Sequence, residues 1–74
     1  MNKARRKRLG EAFGLIGKAQ DILCSVREEE QEAYENLPDS FRDGERGDEM
    51  QNYMDMLEEA EGYLDDANSV IEQI

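Results

Sequence analysis

Large apolar residues return every seven positions in each half of this chain, and a small or apolar residue follows nearly every one by three. The first series is Leu9, Ile16, Leu23 and, past an interruption at Glu30, Leu37, shadowed by Ala12, Ala19, Val26 and Ala33. The second is Met50, Leu57, Leu64 and Ile71, shadowed by Tyr53, Ala60, Ala67 and Ile74. A sustained 3.5-residue period puts both members of each pair on one stripe of an α-helix, the a and d positions of a heptad. Such a stripe is buried by lying against another helix. The pattern specifies an all-α architecture and says nothing of an activity.

Between the two series the chain must turn. Pro38 disfavours helical geometry at Leu37 and cannot donate a backbone hydrogen bond, so the first helix is expected over about residues 3–36. Residues 37–47 are rich in turn formers and are expected as a loop, with Gly44 and Gly47 free to adopt positive φ. Phe41, the one large apolar residue within it past Leu37, is expected to plug the open end of the helix pair. The second helix is expected over about 48–73, capped by Asp48 with Gln51 at capping-box spacing. The connection permits an antiparallel hairpin, with Leu37 near Met50 and Leu9 near Ile74. Alanine at every seventh position lets the two helices approach at the close end of the 8–10 Å range. One helical-hairpin domain over residues 1–74 follows.

At 74 residues a single core gives little net stability. Cys24 is alone and histidine is absent, so neither an internal disulfide nor a zinc site can staple the fold. Oligomerisation remains. Two further apolar stripes flank the seam: Leu15, Ile22, Met56, Tyr63 and Val70 on one side, and Phe13, Tyr34 and Met54 on the other. Two helices cannot bury both flanks, and an exposed strip of this kind marks an interface. The expectation is a homo-oligomer, with a dimer of hairpins forming a four-helix bundle favoured. A higher ring, or a groove left open for a foreign helix, is the alternative.

Charge is segregated within a net −10. Residues 1–8 carry Lys3, Arg5, Arg6, Lys7 and Arg8 and no acid, whereas residues 28–74 hold 17 acids against Arg42 and Arg46. The basic start sits badly at a helix N-terminus. Pairing with Asp65, Asp66 and Glu72 at the adjacent end of the second helix, within one chain or across subunits, is its structural explanation, with a frayed terminus as the second; contact with phosphate is the functional one. The acids Glu28, Glu29, Glu32, Glu35, Glu58, Glu59, Asp65 and Asp66 read either as a solvated face that keeps the protein soluble or as an acidic surface for a basic partner.

Catalysis finds little to work with. Without histidine, Cys24 and the serines lack their usual base, and neither di-iron nor calcium-loop spacing is present. No enzyme activity, metal or cofactor is expected. Gly10, Gly14 and Gly17 form a bare stripe away from the alanine seam, read as tolerated weakness or as a place for close approach. No stretch reaches the ~20 apolar residues of a membrane span, and the basic start is not followed by an export-signal core. A lone thiol then points to a reducing cytoplasm.

The run Glu28-Glu-Glu-Gln-Glu-Ala-Tyr-Glu-Asn-Leu-Pro-Asp-Ser-Phe-Arg-Asp-Gly-Glu-Arg-Gly-Asp-Glu-Met50, followed by Leu57-Glu-Glu-Ala60 and Leu64-Asp-Asp-Ala67, resembles a set of short acidic helical proteins of phages and mobile elements of Gram-positive bacteria. The shared pattern is E-x-x-A-x-x-N-x-P-x-S, a polar loop with E-R-G, and L-x-x-A repeats, over about residues 26–72. The resemblance implies a phage accessory protein acting in the cytoplasm of a bacterial host, and carries no catalytic residue. Three functions remain open. One is a protein-interaction module acting on a host or phage protein through the apolar flank and acidic face. The second is an acidic nucleic-acid mimic that inhibits a host defence protein, in the manner of anti-CRISPR inhibitors. The third is a nucleic-acid-binding hairpin dimer using residues 3–8, disfavoured by the charge balance.

Overall fold

Helix α1 (Lys3–Glu35) starts where Asn2 turns its side chain inward, Oδ1 accepting the Arg5 N–H at 2.9 Å. The computed structural model describes residues 1–74 throughout. Beyond α1, the carbonyl of Pro38 accepts the N–H groups of Phe41 and Arg42 and winds Asp39–Arg42 into a single turn, α2. The Arg42–Asp39 ion pair closes that turn. Helix α3 (Glu45–Glu72) follows two residues later.

Four expectations about the connection need correction. Much of 37–47 is helical, because a turn of helix absorbs the change of direction. Helix α3 begins at Glu45, three residues ahead of the expected start, with extended Gly44 as its cap (φ −104°, ψ −164°) and Asp48 already inside the first turn. No glycine has positive φ. Gly47 is instead a clearance residue: it is buried in α3, and a Cβ there would stand 2.6 Å from the carbonyl carbon of Arg42 and closer still to its oxygen. Phe41 does not plug the helix pair. It stands 56% exposed on the outside of the corner, while Leu37 is half-buried.

Cross-helix hydrogen bonds fix the topology. Arg6 meets Ile74, Phe13 meets Asn68, Gln20 meets Glu61 and Tyr34 meets Gln51, so α1 and α3 run antiparallel along their length. The result is a slab of 58 × 15 × 11 Å with a radius of gyration of 17.1 Å, against roughly 11 Å for a compact domain of this length. Its interior is thin. Only Gly47, Met54 and Asn68 are buried, and no side chain is fully enclosed.

The a positions Leu9, Ile16, Leu23, Met50, Leu57, Leu64 and Ile71 all face the partner helix and are half-buried. The d positions are less uniform: Ala12, Ala19, Ala60 and Ala67 are half-buried, but Val26, Ala33, Tyr53 and Ile74 are exposed. Their place is taken by e positions, among them Tyr34 and Met54 of the second flank; Met54, at 8% exposure, is the one buried apolar side chain, while Phe13 of the same flank stays exposed at 36%. An α-helix of 3.6 residues per turn drifts about 20° per heptad against a strict 3.5 repeat, which carries the contact line of α1 from a/d toward a/e as it nears the hairpin end, where Val26 and Ala33 are exposed and Arg27 and Tyr34 half-buried. That drift has the opposite sense at the start of α3 and does not account for Met54.

Candidate interaction surface

The two long edges of the slab differ in chemistry. Along one edge the e positions of α1 (Arg6, Phe13, Gln20, Arg27, Tyr34) meet those of α3 (Met54, Glu61, Asn68). Asn68 Nδ2 donates to the Phe13 carbonyl at 3.2 Å, Gln20 Nε2 to the Glu61 carbonyl at 3.4 Å, and Gln51 Nε2 to the Tyr34 hydroxyl at 3.0 Å. Arg27 grips Glu61 with both Nε (2.6 Å) and Nη2 (3.3 Å). Arg6 Nη1 reaches the main-chain oxygen of Ile74 at 3.0 Å, a cation placed where the α3 dipole favours one. All cross-helix polar contacts originate on this edge.

The opposite edge carries none. Reversal of chain direction makes e adjoin e on one side of an antiparallel pair, so the g positions adjoin on the other. There stand all five residues expected at an interface: Leu15, Ile22, Met56, Tyr63 and Val70, each between 57% and 65% exposed. Val26 and Tyr53, assigned by the heptad to the inner seam, join them at 42% and 49%. The half-buried alanines of the d positions floor the strip between the two rows. Polar groups within it are satisfied locally: Tyr63 donates to Glu59 at 2.9 Å and Tyr53 to Glu49 at 2.7 Å, and each carboxylate raises the pKa of its phenol, chiefly through that hydrogen bond.

Charged groups are placed differently from expectation. Of the basic cluster, none of Lys3, Arg5, Arg6, Lys7 and Arg8 forms an ion pair with an acid; the ion pairs of the chain are Arg27–Glu61 and Arg42–Asp39. Within one chain the pairing with Asp65, Asp66 and Glu72 is thus not made, because the antiparallel offset delivers Arg6 to the end of α3 instead. All eight residues named for the acidic face are exposed, but they do not form one face. Glu28, Glu32 and Glu35 lie on α1, Glu58 and Asp65 border the stitched edge of α3, Glu59 and Asp66 point outward, and Glu29 sits at the end of the apolar strip. No three carboxylates or thiols gather where one metal ion would reach them. Cys24 lies half-buried between Glu28 and Arg27, its Sγ 3.6 Å from Glu28 Oε1. Desolvation, then the Glu28 charge, raises its pKa, which keeps it a thiol and a poor nucleophile. Gly10, Gly14 and Gly17 face open space. No helix is long and apolar enough to cross a membrane.

Sequence reasoning recognises the g stripe because it is apolar. It misses the polar stitch, since Gln20, Arg27, Glu61 and Asn68 read one at a time as ordinary surface residues. Their common seven-residue spacing is the available signal.

The stitch gives the fold an acid-sensitive element. The hydrogen bond from Arg27 is the largest influence on Glu61 and holds its carboxyl below the ordinary value, against desolvation. A group depressed in the folded state stabilises fully above its unfolded-state pKa and loses that contribution as pH falls through the folded one. Glu61→Gln should therefore lower the melting temperature at neutral pH. The gap to the parent should close below the folded-state pKa of Glu61, as thermal melts at the two pH values would measure. A gap independent of pH would show that the ion pair contributes nothing.

Compared with protein-family models, curated proteins and solved structures, the chain matches none.

Proposed function

We propose that this protein is a non-enzymatic interaction module, a small phage-type accessory protein that engages other protein surfaces through its apolar d–g face. The observation that carries the reading is the asymmetry of the slab: polar cross-helix contacts occupy one edge, while Leu15, Ile22, Met56, Tyr63 and Val70 stand exposed on the other. Large apolar side chains held in a row on a preformed backbone are what a helix-in-groove or bundle contact requires. On this reading two hairpins associate into a four-helix bundle. The acids on the outer sides remain exposed to a host or phage protein with a basic surface. Division of those acids over several directions gives less support to a nucleic-acid mimic, which needs them along one track.

A photoreactive benzophenone amino acid placed at Ile22 tests the reading, with Asp55 on the outer side as the control position. In bacterial cells expressing the full chain, position 22 should form protein adducts at least tenfold more abundantly than position 55. Equal yields, or none at position 22, would overturn the assignment.

A further inference from the structure

Resting on that reading, we infer that the occupant of the d–g face is a second copy of this chain turned end for end, so that α1 packs antiparallel on α1 and α3 on α3. Three independent observations lead there. The first is area. The chain exposes 5787 Å², whereas a folded monomer of 8.5 kDa exposes about 4,700 Å². The excess of roughly 1,100 Å² exceeds the ~800 Å² that each partner contributes to a stable complex.

The second is charge along the face. One shallow depression brings Arg5 and Arg8 beside Ala12 and Leu15, with Glu11 the one acid on its wall, so the strip is net basic at the end where the chain begins. At the hairpin end it runs into Glu29 of α1 and Glu49 of α3, bordered by Glu30 and Glu45, with Arg46 the one cation among them. Parallel stacking would lay these acids over their own copies. Reversal lays the basic end of each copy on the acidic end of the other, and like-charge contact is replaced by attraction. Arg5 and Arg8 have no acidic partner within their own chain, which leaves them free for this one.

The third is size matching. From Arg5 to Glu29 the d and g positions alternate in steps of three and four, a second heptad seam beside the first. Antiparallel self-pairing that sets Ala12 on Ile22 also sets Leu15 on Ala19 and Arg5 on Glu29, large on small and base on acid. The same operation on α3 sets Ala60 on Val70 and Ala67 on Tyr63. The midpoints of these pairings fall between residues 15 and 19 of α1 and between 63 and 67 of α3. Within one hairpin those two points lie abreast, since Phe13 meets Asn68 and Gln20 meets Glu61. A single twofold axis therefore satisfies both helices.

The test combines mass with register. Light scattering of the purified chain at tens of micromolar should give twice 8.5 kDa. In a Cys24→Ser background, Ala12→Cys with Ile22→Cys should oxidise to a covalent dimer, whereas Cys24→Ser with Ala12→Cys alone should not. Arg5→Glu should weaken association at least tenfold, and Glu29→Arg added to it should restore it. Arg5→Glu places an acid at the α1 N-terminus, where it suits the helix dipole, so a loss cannot be ascribed to unfolding. A monomeric mass overturns self-pairing; if position 22 still forms adducts with a foreign protein, the interaction reading stands without it. A dimer that fails to form the 12–22 disulfide overturns the end-for-end arrangement.

Discussion

Replacing Gly47 by alanine should cost the protein about 3 kcal/mol, the upper end of what forcing an extra methyl into a packed site costs. For a chain of this size that is a fall of roughly 12–24 °C in melting temperature. The added Cβ meets main chain, namely the carbonyl group and Cα of Arg42, and main chain cannot rotate aside as a side-chain tip would. Relief requires α2 to lift off α3, which disturbs the turn held by Pro38 and the Asp39–Arg42 pair. Gly44→Ala is the milder comparison, since its Cβ would stand 3.1 Å from the Ser40 oxygen. Melting curves of both variants at one protein concentration measure the effect. A Gly47→Ala chain melting within about 2 °C of the parent would show the corner to be compliant, since that shift corresponds to only a few tenths of a kcal/mol.

The opposite result is expected for the remaining glycines. Gly10, Gly14, Gly17 and Gly62 lie inside α1 and α3, and a Cβ added at any of them would have nothing within 4 Å, so alanine there meets no obstacle. Each substitution should recover most of the ~0.8–1 kcal/mol that glycine costs in a helix interior. Together they should stabilise the protein by about 3 kcal/mol, which is again roughly 12–24 °C. Gly10, Gly14 and Gly17 are near neighbours, so the sum is read from the combined variant. A quadruple variant that gained no stability would mean that the bare stripe is covered in solution by another surface.

How much of this is legible in the sequence depends on the kind of contact. The heptads give the helices, the turn at Pro38, the seven seam residues at a and the five exposed residues at g, because each of these depends on period and polarity along one helix. The choice between the two flanks is not legible. Phe13, Tyr34 and Met54 look as free as Leu15 and Ile22, yet Tyr34 and Met54 turn toward the partner helix while Phe13 stays 36% exposed. Gly47 reads as a turn glycine because its constraint is the Arg42 backbone, five residues away and across a corner. Asp48 reads as a cap because capping boxes are local, yet α2 starts the next helix early. Proximity of chain ends suggests acids as partners for the basic cluster, but the offset of the two helices, a matter of register, brings Arg6 to Ile74 instead.

The one-sided stitching has a mechanical consequence. Hydrogen bonds along a single edge act as the spine of a book, and the leaves can open a little at the far margin without tearing the binding. Small rolls of α1 about that spine would alter the gap over Ala19 and Ala60 with Arg27–Glu61 and Asn68–Phe13 still closed. A slab bound in this way should resist bending along its length more than opening at the free edge, so the breadth of its unbound margin should adjust to the bulk of the side chains laid into it.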